Sequence, residues 1–220
     1  MAGKDAPHQA TSEEIEILPH AAKKTISESG PTLIQLAWLY RVKAIAREMV
    51  VARSSPDMAR SAIKKLSNLL SAAEEARKVP RILTESGIRF VIVESLASAK
   101  IDGVCFWLNE GSPVIGMSLR YDRIDNFWFI LRHELDHILH RHTQDTANPE
   151  PETELEGEKA GTGLNVPEEE RIANEVAANF CVPTKMMDAF IARKAPFFAE
   201  RDILGFARTI NVHPGLLQDS

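Results

Sequence analysis

Cysteine is scarce: only Cys105 and Cys181 occur in 220 residues, and neither has the spacing of a paired metal or disulfide motif. A disulfide-stapled scaffold and a cysteine-ligated structural zinc are thereby excluded, and a reducing compartment is expected. No apolar run approaches the roughly 20 residues needed to cross a bilayer. Residues 1–30 are polar and lack the apolar centre of a secretory signal, so a cytoplasmic location is expected. Positive charge is not in excess either, with 26 Lys and Arg against 31 Asp and Glu and a net charge of −5. Capture of nucleic-acid phosphates by bulk charge is not what this balance supports. Residues 1–80 show no clear helix-turn-helix signature, so direct DNA binding is not expected. Internal repeats are also absent.

Hydrophobic residues make up 44% of the chain, enough at this length for one core of useful size. Residues 1–30 lack sustained periodicity and read as a flexible N-terminal arm. From 31 to 53, Leu33, Leu36, Leu39, Ile45 and Met49 recur at near-helical spacing, and Ser55-Pro56-Asp57 then opens a second helix with a cap and a proline. That second helix is expected to run to about Ala76, which makes 31–78 a helical hairpin. A short helix over 79–86 is ended by Gly87.

The chain changes character at 88–93, 103–108 and 113–119, where β-branched and aromatic residues dominate, so a sheet of about three strands is expected. Asn109-Glu110-Gly111-Ser112 supplies a hairpin loop between the last two. The third strand leads toward a long helix, which would set a sheet edge beside it where an extended peptide could pair. Residues 143–166 are rich in Glu, Pro, Gly and Thr without a period, and read as a long loop. Residues 184–192 and 200–210 read as helices. The fold class is α+β.

His133-Glu134-Leu135-Asp136-His137 lies inside that long helix, which continues from Phe127, Trp128, Ile130 and Leu131 into Ile138 and Leu139. On a helix, positions i and i+4 share a face, so both imidazoles can reach one metal ion. Glu134, rotated by about 100°, lies beside the open coordination position and is placed to act as general base on a water held there. The pattern alone is short, and chance produces it roughly once per hundred such sequences. Two histidines also leave a catalytic site one protein ligand short. Candidates follow Pro167, where Glu168, Glu169, Glu170 and Glu175 lie in a stretch that keeps small residues at Ala173 and Ala177, suited to close packing of a second helix.

Glu170-Arg171-Ile172-Ala173-Asn174-Glu175-Val176-Ala177, followed by Phe180-Cys181-Val182-Pro183, matches the second motif and ending of a known family. Together with His133-Glu134-x-x-His137, the sequence over roughly 80–217 resembles the ImmA/IrrE metallopeptidases. Val176 stands where that family usually has Phe, and Asp136 where a small Gly is common. The resemblance implies a zincin-like metallopeptidase domain over 79–220, a Zn2+ cofactor, and Glu170 as third ligand beside His133 and His137. Asn174, one turn after Glu170 on the same helical face, is then suited to hydrogen-bond a ligand histidine. Asp136 is suited to orient His133 or His140, or to face solvent; His140 suits the negative end of its helix.

The implied activity is that of a zinc-dependent endopeptidase cleaving a protein substrate, with Glu134 as base and later proton donor. Tyr121, Arg132 and His213 are all chemically suited to stabilise the oxyanion. The resemblance further implies a helix-turn-helix repressor as substrate, in a stress or mobile-element response. Some relatives act as antitoxins, so the alternative is a non-cleaving regulatory module that binds a partner protein or toxin.

Overall fold

The computed structural model describes residues 32–97, 99–141, 152–153 and 167–217. The arm expected over 1–30, and all but two residues of the loop expected over 143–166, lie outside the described residues. The elements among them are α1 (Leu33–Glu48), α2 (Pro56–Ser67), a 3₁₀ turn (Ala73–Lys78), α3 (Val79–Glu85), β1 (Arg89–Ile92), β2 (Ile101–Trp107) and β3 (Pro113–Met117). There follow α4 (Ile124–His140), β4 (Glu152–Thr153), α5 (Glu168–Cys181), α6 (Thr184–Lys194), α7 (Glu200–Ile210) and a closing 3₁₀ turn (Pro214–Leu217).

Local chemistry explains most of these boundaries. Thr32 and Gln35 cap α1 reciprocally, the Gln35 amide N–H donating to Thr32 Oγ1 and the Thr32 N–H to Gln35 Oε1. Ser55 accepts from the Met58 N–H ahead of Pro56. Helix α2 stops at Ser67 instead of running on to Ala76, because Ser67 Oγ and Asn68 Nδ2 both donate to the Lys64 carbonyl and compete with the helix. Gly87 ends α3's turn with φ +79°, a conformation that a Cβ disfavours.

The two helices of 31–78 form, but their buried faces join different cores on opposite sides of the sheet. Trp38, Val42 and Ala46 of α1 pack with Val91, Val104 and Val114 on one face. Ala59, Ala62 and Leu66 of α2 pack with Phe90, Cys105, Ile115 and α4 on the other. Strand alternation makes this division possible, since neighbouring positions such as Phe90 and Val91 point to opposite faces. The sheet is thus a middle layer between α1 and the helices that carry the site.

Strand order is β1-β3-β2-β4, with β1 and β3 parallel and β2 antiparallel to both β3 and β4. The hairpin expected between β2 and β3 is present. The expected edge position of the third strand is corrected: β3 is interior, flanked by β1 and β2. The strand beside the site is β2, and its far side pairs with the two-residue β4 at Ile101 and Gly103. Strand β4 falls inside the stretch expected to be loop throughout. No helix among the described residues is long and apolar enough to cross a membrane.

Helix α4 is buried from Ile130 through Ile138, wedged against β2, β3, α2 and α5. Ala173, Ala177 and Cys181 of α5 recur every four residues and are all buried, so α5 can lie close along α4. Close helix packing sets the third ligand candidate opposite the first two.

Candidate metal centre

His133 and His137 stand one turn apart on α4, and their Nε2 atoms are 3.0 Å from each other. Glu170, in the first turn of α5, places Oε2 3.2 Å from His133 Nε2 and Oε1 3.4 Å from His137 Nε2. His133 is fully buried and His137 nearly so, while the Glu170 side chain is 22% exposed. Three donor atoms therefore converge from two helices onto one point, within 4.8 Å of one another, an arrangement able to hold a metal ion. Burial by itself would raise the Glu170 carboxyl, yet the two facing imidazoles hold it down at about 2, so the group is an ionised donor.

The other acids of the run are turned away. Glu168 and Glu175 both pair with Arg171 on the exposed face of α5, and Glu169 is exposed. Glu134 is buried on the side of α4 facing β2, at 1% exposure. The strand passes so close at Gly103 that a side chain there would overlap the Glu134 carboxylate. Sequence reading missed Gly103, although a glycine inside a strand signals close approach by another group.

Asp136 is buried, not solvated, and accepts from both Arg132 Nη1 and Nη2 at 3.1 Å. Its second oxygen lies 3.1 Å from His140 Nδ1, so of the two histidines it was expected to orient, Asp136 meets His140. Arg132 is itself 7% exposed. Burial lowers its pKa and Asp136 opposes that shift. This guanidinium is committed to a structural pair. His213 sits at the other end of α4: a Cβ on Gly215 would meet both His213 Nδ1 and Ile124 Cγ2 at 2.9 Å. Ile124 is nine residues, or about 13 Å along a helix, from His133.

Tyr121 is 43% exposed, with its hydroxyl accepting from Arg120 Nη2 at 2.7 Å and its ring 4.4 Å from that guanidinium. Arg120 in turn pairs at 3.0 Å with Asp102, a fully buried carboxylate next to Gly103 in β2. Asn174 has a buried amide oxygen with no hydrogen-bond partner among the described residues, as does His133 Nδ1.

Residues 84–208 match the family model described as the IrrE N-terminal-like domain, a peptidase family, and this span is more than half of the chain. The chain belongs to the IrrE N-terminal-like peptidase family. Its matched span runs from the end of α3 into α7 and encloses His133, Glu134, His137 and Glu170, while α1 and α2 lie outside it. Comparison with curated proteins and with solved structures found no match.

Proposed function

We propose that this IrrE-like peptidase is a zinc-dependent endopeptidase, with His133, His137 and Glu170 as metal ligands and Glu134 as general base. The convergence of the three donor atoms carries the reading. Donors bound at about 2.0–2.1 Å to a tetrahedral zinc lie about 3.3 Å apart, and here the two Nε2 atoms are 3.0 Å apart, with Glu170 Oε2 3.2 Å from that of His133 and Oε1 3.4 Å from that of His137. Two nitrogens and one carboxylate leave a fourth position open, which suits a catalytic site and not a closed structural one.

Zinc, when bound, supplies Lewis acidity that polarises a peptide carbonyl and makes water nucleophilic near neutral pH. Glu134, held between α4 and β2, accepts the proton of the attacking water and returns it to the leaving amine. Of the three chemically suitable oxyanion donors, Arg132 is occupied by Asp136 and His213 lies at the far end of α4. Tyr121 precedes Ile124 by three residues and so lies toward that same end; its oxygen accepts from Arg120, which leaves its own proton available to donate.

The substrate is a protein, and we assign it as a DNA-binding transcriptional repressor of the helix-turn-helix kind, cleaved in the cytoplasm during a stress or mobile-element response. Cys105 and Cys181 are both buried thiols, which agrees with that compartment. An extended substrate strand would find backbone partners along β2 beyond Gly103, where no strand among the described residues pairs on that side. The test is incubation of the zinc-loaded protein with repressors encoded beside its gene, followed by mass spectrometry of new termini. A single defined cut is expected; regulation of those repressors without any cut would replace hydrolysis with partner binding.

A further inference from the structure

Helices α6 and α7 leave a groove of about 480 Å³ between them that shares no residue with the metal cluster. Phe190 and Phe206 form its base, stacked with ring centroids 4.4 Å apart and planes 6° from parallel. Met186 lines it at 40% exposure, and Phe198, 43% exposed, packs on Phe190. Phe190 and Phe206 are themselves buried, at 7% and 5% exposure, so the large apolar side chain that the depression exposes to solvent is Met186.

Its rim is basic in an acidic protein. Lys185, Arg193, Lys194 and Arg201 line the groove against a single acid, Asp202. Asp202 is taken by Lys194 at 2.8 Å, which leaves three cations without an ion pair among the described residues. Some exposed helix arginines are paired in place, Arg60 with Asp57, Arg81 with Glu85, and Arg171 with Glu168 and Glu175, whereas Arg41, Arg47 and Arg208 have no ion pair among the described residues. What distinguishes the groove cations is that they gather round one depression, on a chain whose net charge is −5.

Gly205 adds an independent observation. It lies inside α7 and lines the groove, and a Cβ there would meet nothing within 4 Å. Glycine is the poorest helix former after proline, so open space in front of it is not a requirement of this fold. Thr209, one turn on, and Ala189 across the groove are also small. Small residues on facing helices let a third helix approach closely.

We propose that this groove docks an acidic amphipathic helix of the protein that the enzyme cleaves, with apolar side chains seated over Phe190 and Phe206 and acids meeting Lys185, Arg193 and Arg201. As to substrate, this rests on the proteolytic reading above. A nucleic-acid strand would use the cations but leave the recessed apolar base without a partner, and the charge of the whole protein opposes it. Helix α6 follows α5 after only Val182 and Pro183, so a segment docked here tethers the rest of the substrate near Glu170's helix.

The test uses the zinc-loaded full chain carrying Glu134→Gln and a displayed library of helical peptides, counter-selected against the same protein with Gly205→Trp. A Cβ at position 205 meets nothing within 4 Å, so a tryptophan can be built out from there into the groove, and folding is checked by thermal melting. Peptides with acids and with apolar residues at i, i+3, i+4 and i+7 are expected to be enriched. A synthetic copy should bind at least tenfold more weakly to Gly205→Trp and to the Arg193→Glu/Arg201→Glu protein, and more weakly as salt rises. Enrichment of neutral or basic peptides, or none, would overturn the proposal. So would stronger binding of a 20-base-pair DNA duplex or of a peptide copying residues 143–166 of this chain. Absence of hydrolysis in wild type would remove the proteolytic reading and leave the groove's binding preference standing.

Discussion

Gly103 of β2 lies directly against Glu134 of α4: a Cβ at position 103 would stand 2.5 Å from Glu134 Oε1 and 2.7 Å from Ile130 Cγ2. Strand and helix are therefore as close here as backbone allows, and the absence of a side chain is what lets the carboxylate occupy its place. Gly103→Val should displace Glu134 and lower kcat by at least tenfold, while zinc content, set by other residues, stays near stoichiometric. Activity unchanged in the valine protein would show that Glu134 can act from elsewhere.

Glu170 should be separable from its neighbours. Glu170→Gln removes the converging carboxylate and should weaken zinc binding severely, whereas Glu168→Gln, Glu169→Gln and Glu175→Gln alter only exposed positions. Asn174→Ala, which removes a buried amide one turn from Glu170, should cost about 10- to 100-fold in zinc affinity if it supports the ligands. A competitive chelator titration of all five proteins decides the order. A larger loss in Glu169→Gln would shift the ligand by one residue.

Acid should act on the metal-free protein through Glu170 in a defined window. Its folded-state carboxyl is held at about 2 against an ordinary value of 4.5, so the ionised form stabilises the fold. That contribution is fully present above about 4.5 and is lost as pH falls toward about 2. The stability difference between wild type and Glu170→Gln, measured by urea unfolding, should shrink as pH falls through that interval. A difference that grew on acidification would reverse the assigned sign.

Arg132 and Asp136 form a buried pair, and removing Arg132 leaves the buried Asp136 carboxylate with only the half-exposed His140 beside it among the described residues. Arg132→Met should destabilise the protein by about 3–5 kcal/mol, and the Arg132→Met/Asp136→Leu double variant should recover most of that loss. Denaturant titration of the two proteins measures it. Equal stability of Arg132→Met and wild type would mean that water reaches Asp136.

How much of this was legible in the sequence follows from the range of each interaction. His133, Glu134 and His137 could be read because one helical turn fixes their relation locally, and Glu170 could be read once its motif was recognised. The place of β3 could not, since alternation tells which residues share a face but not which strands are neighbours. The parallel pairing of Arg89–Ile92 with β3 joins segments with another strand between them. For the same reason the separation of α1 and α2 onto opposite faces was hidden: both show an apolar stripe, and a stripe does not name the surface it meets. Asp136 was read as equally suited to solvent because an acid in a helix usually is solvated, although Arg132 four residues earlier carried the signal of an ion pair.

Glu134→Gln separates a protein that uses its metal from one that merely holds it. Wild type and Glu134→Gln, each analysed for zinc after dialysis and then incubated with the same repressor, test this directly by mass spectrometry of the products. The expected result is equal zinc in both and new termini from wild type alone, because Glu134→Gln keeps the three donors and loses the proton acceptor. Equal cleavage by both proteins, or zinc lost from Glu134→Gln, would contradict the assignment of Glu134 as the base beside a metal held by His133, His137 and Glu170.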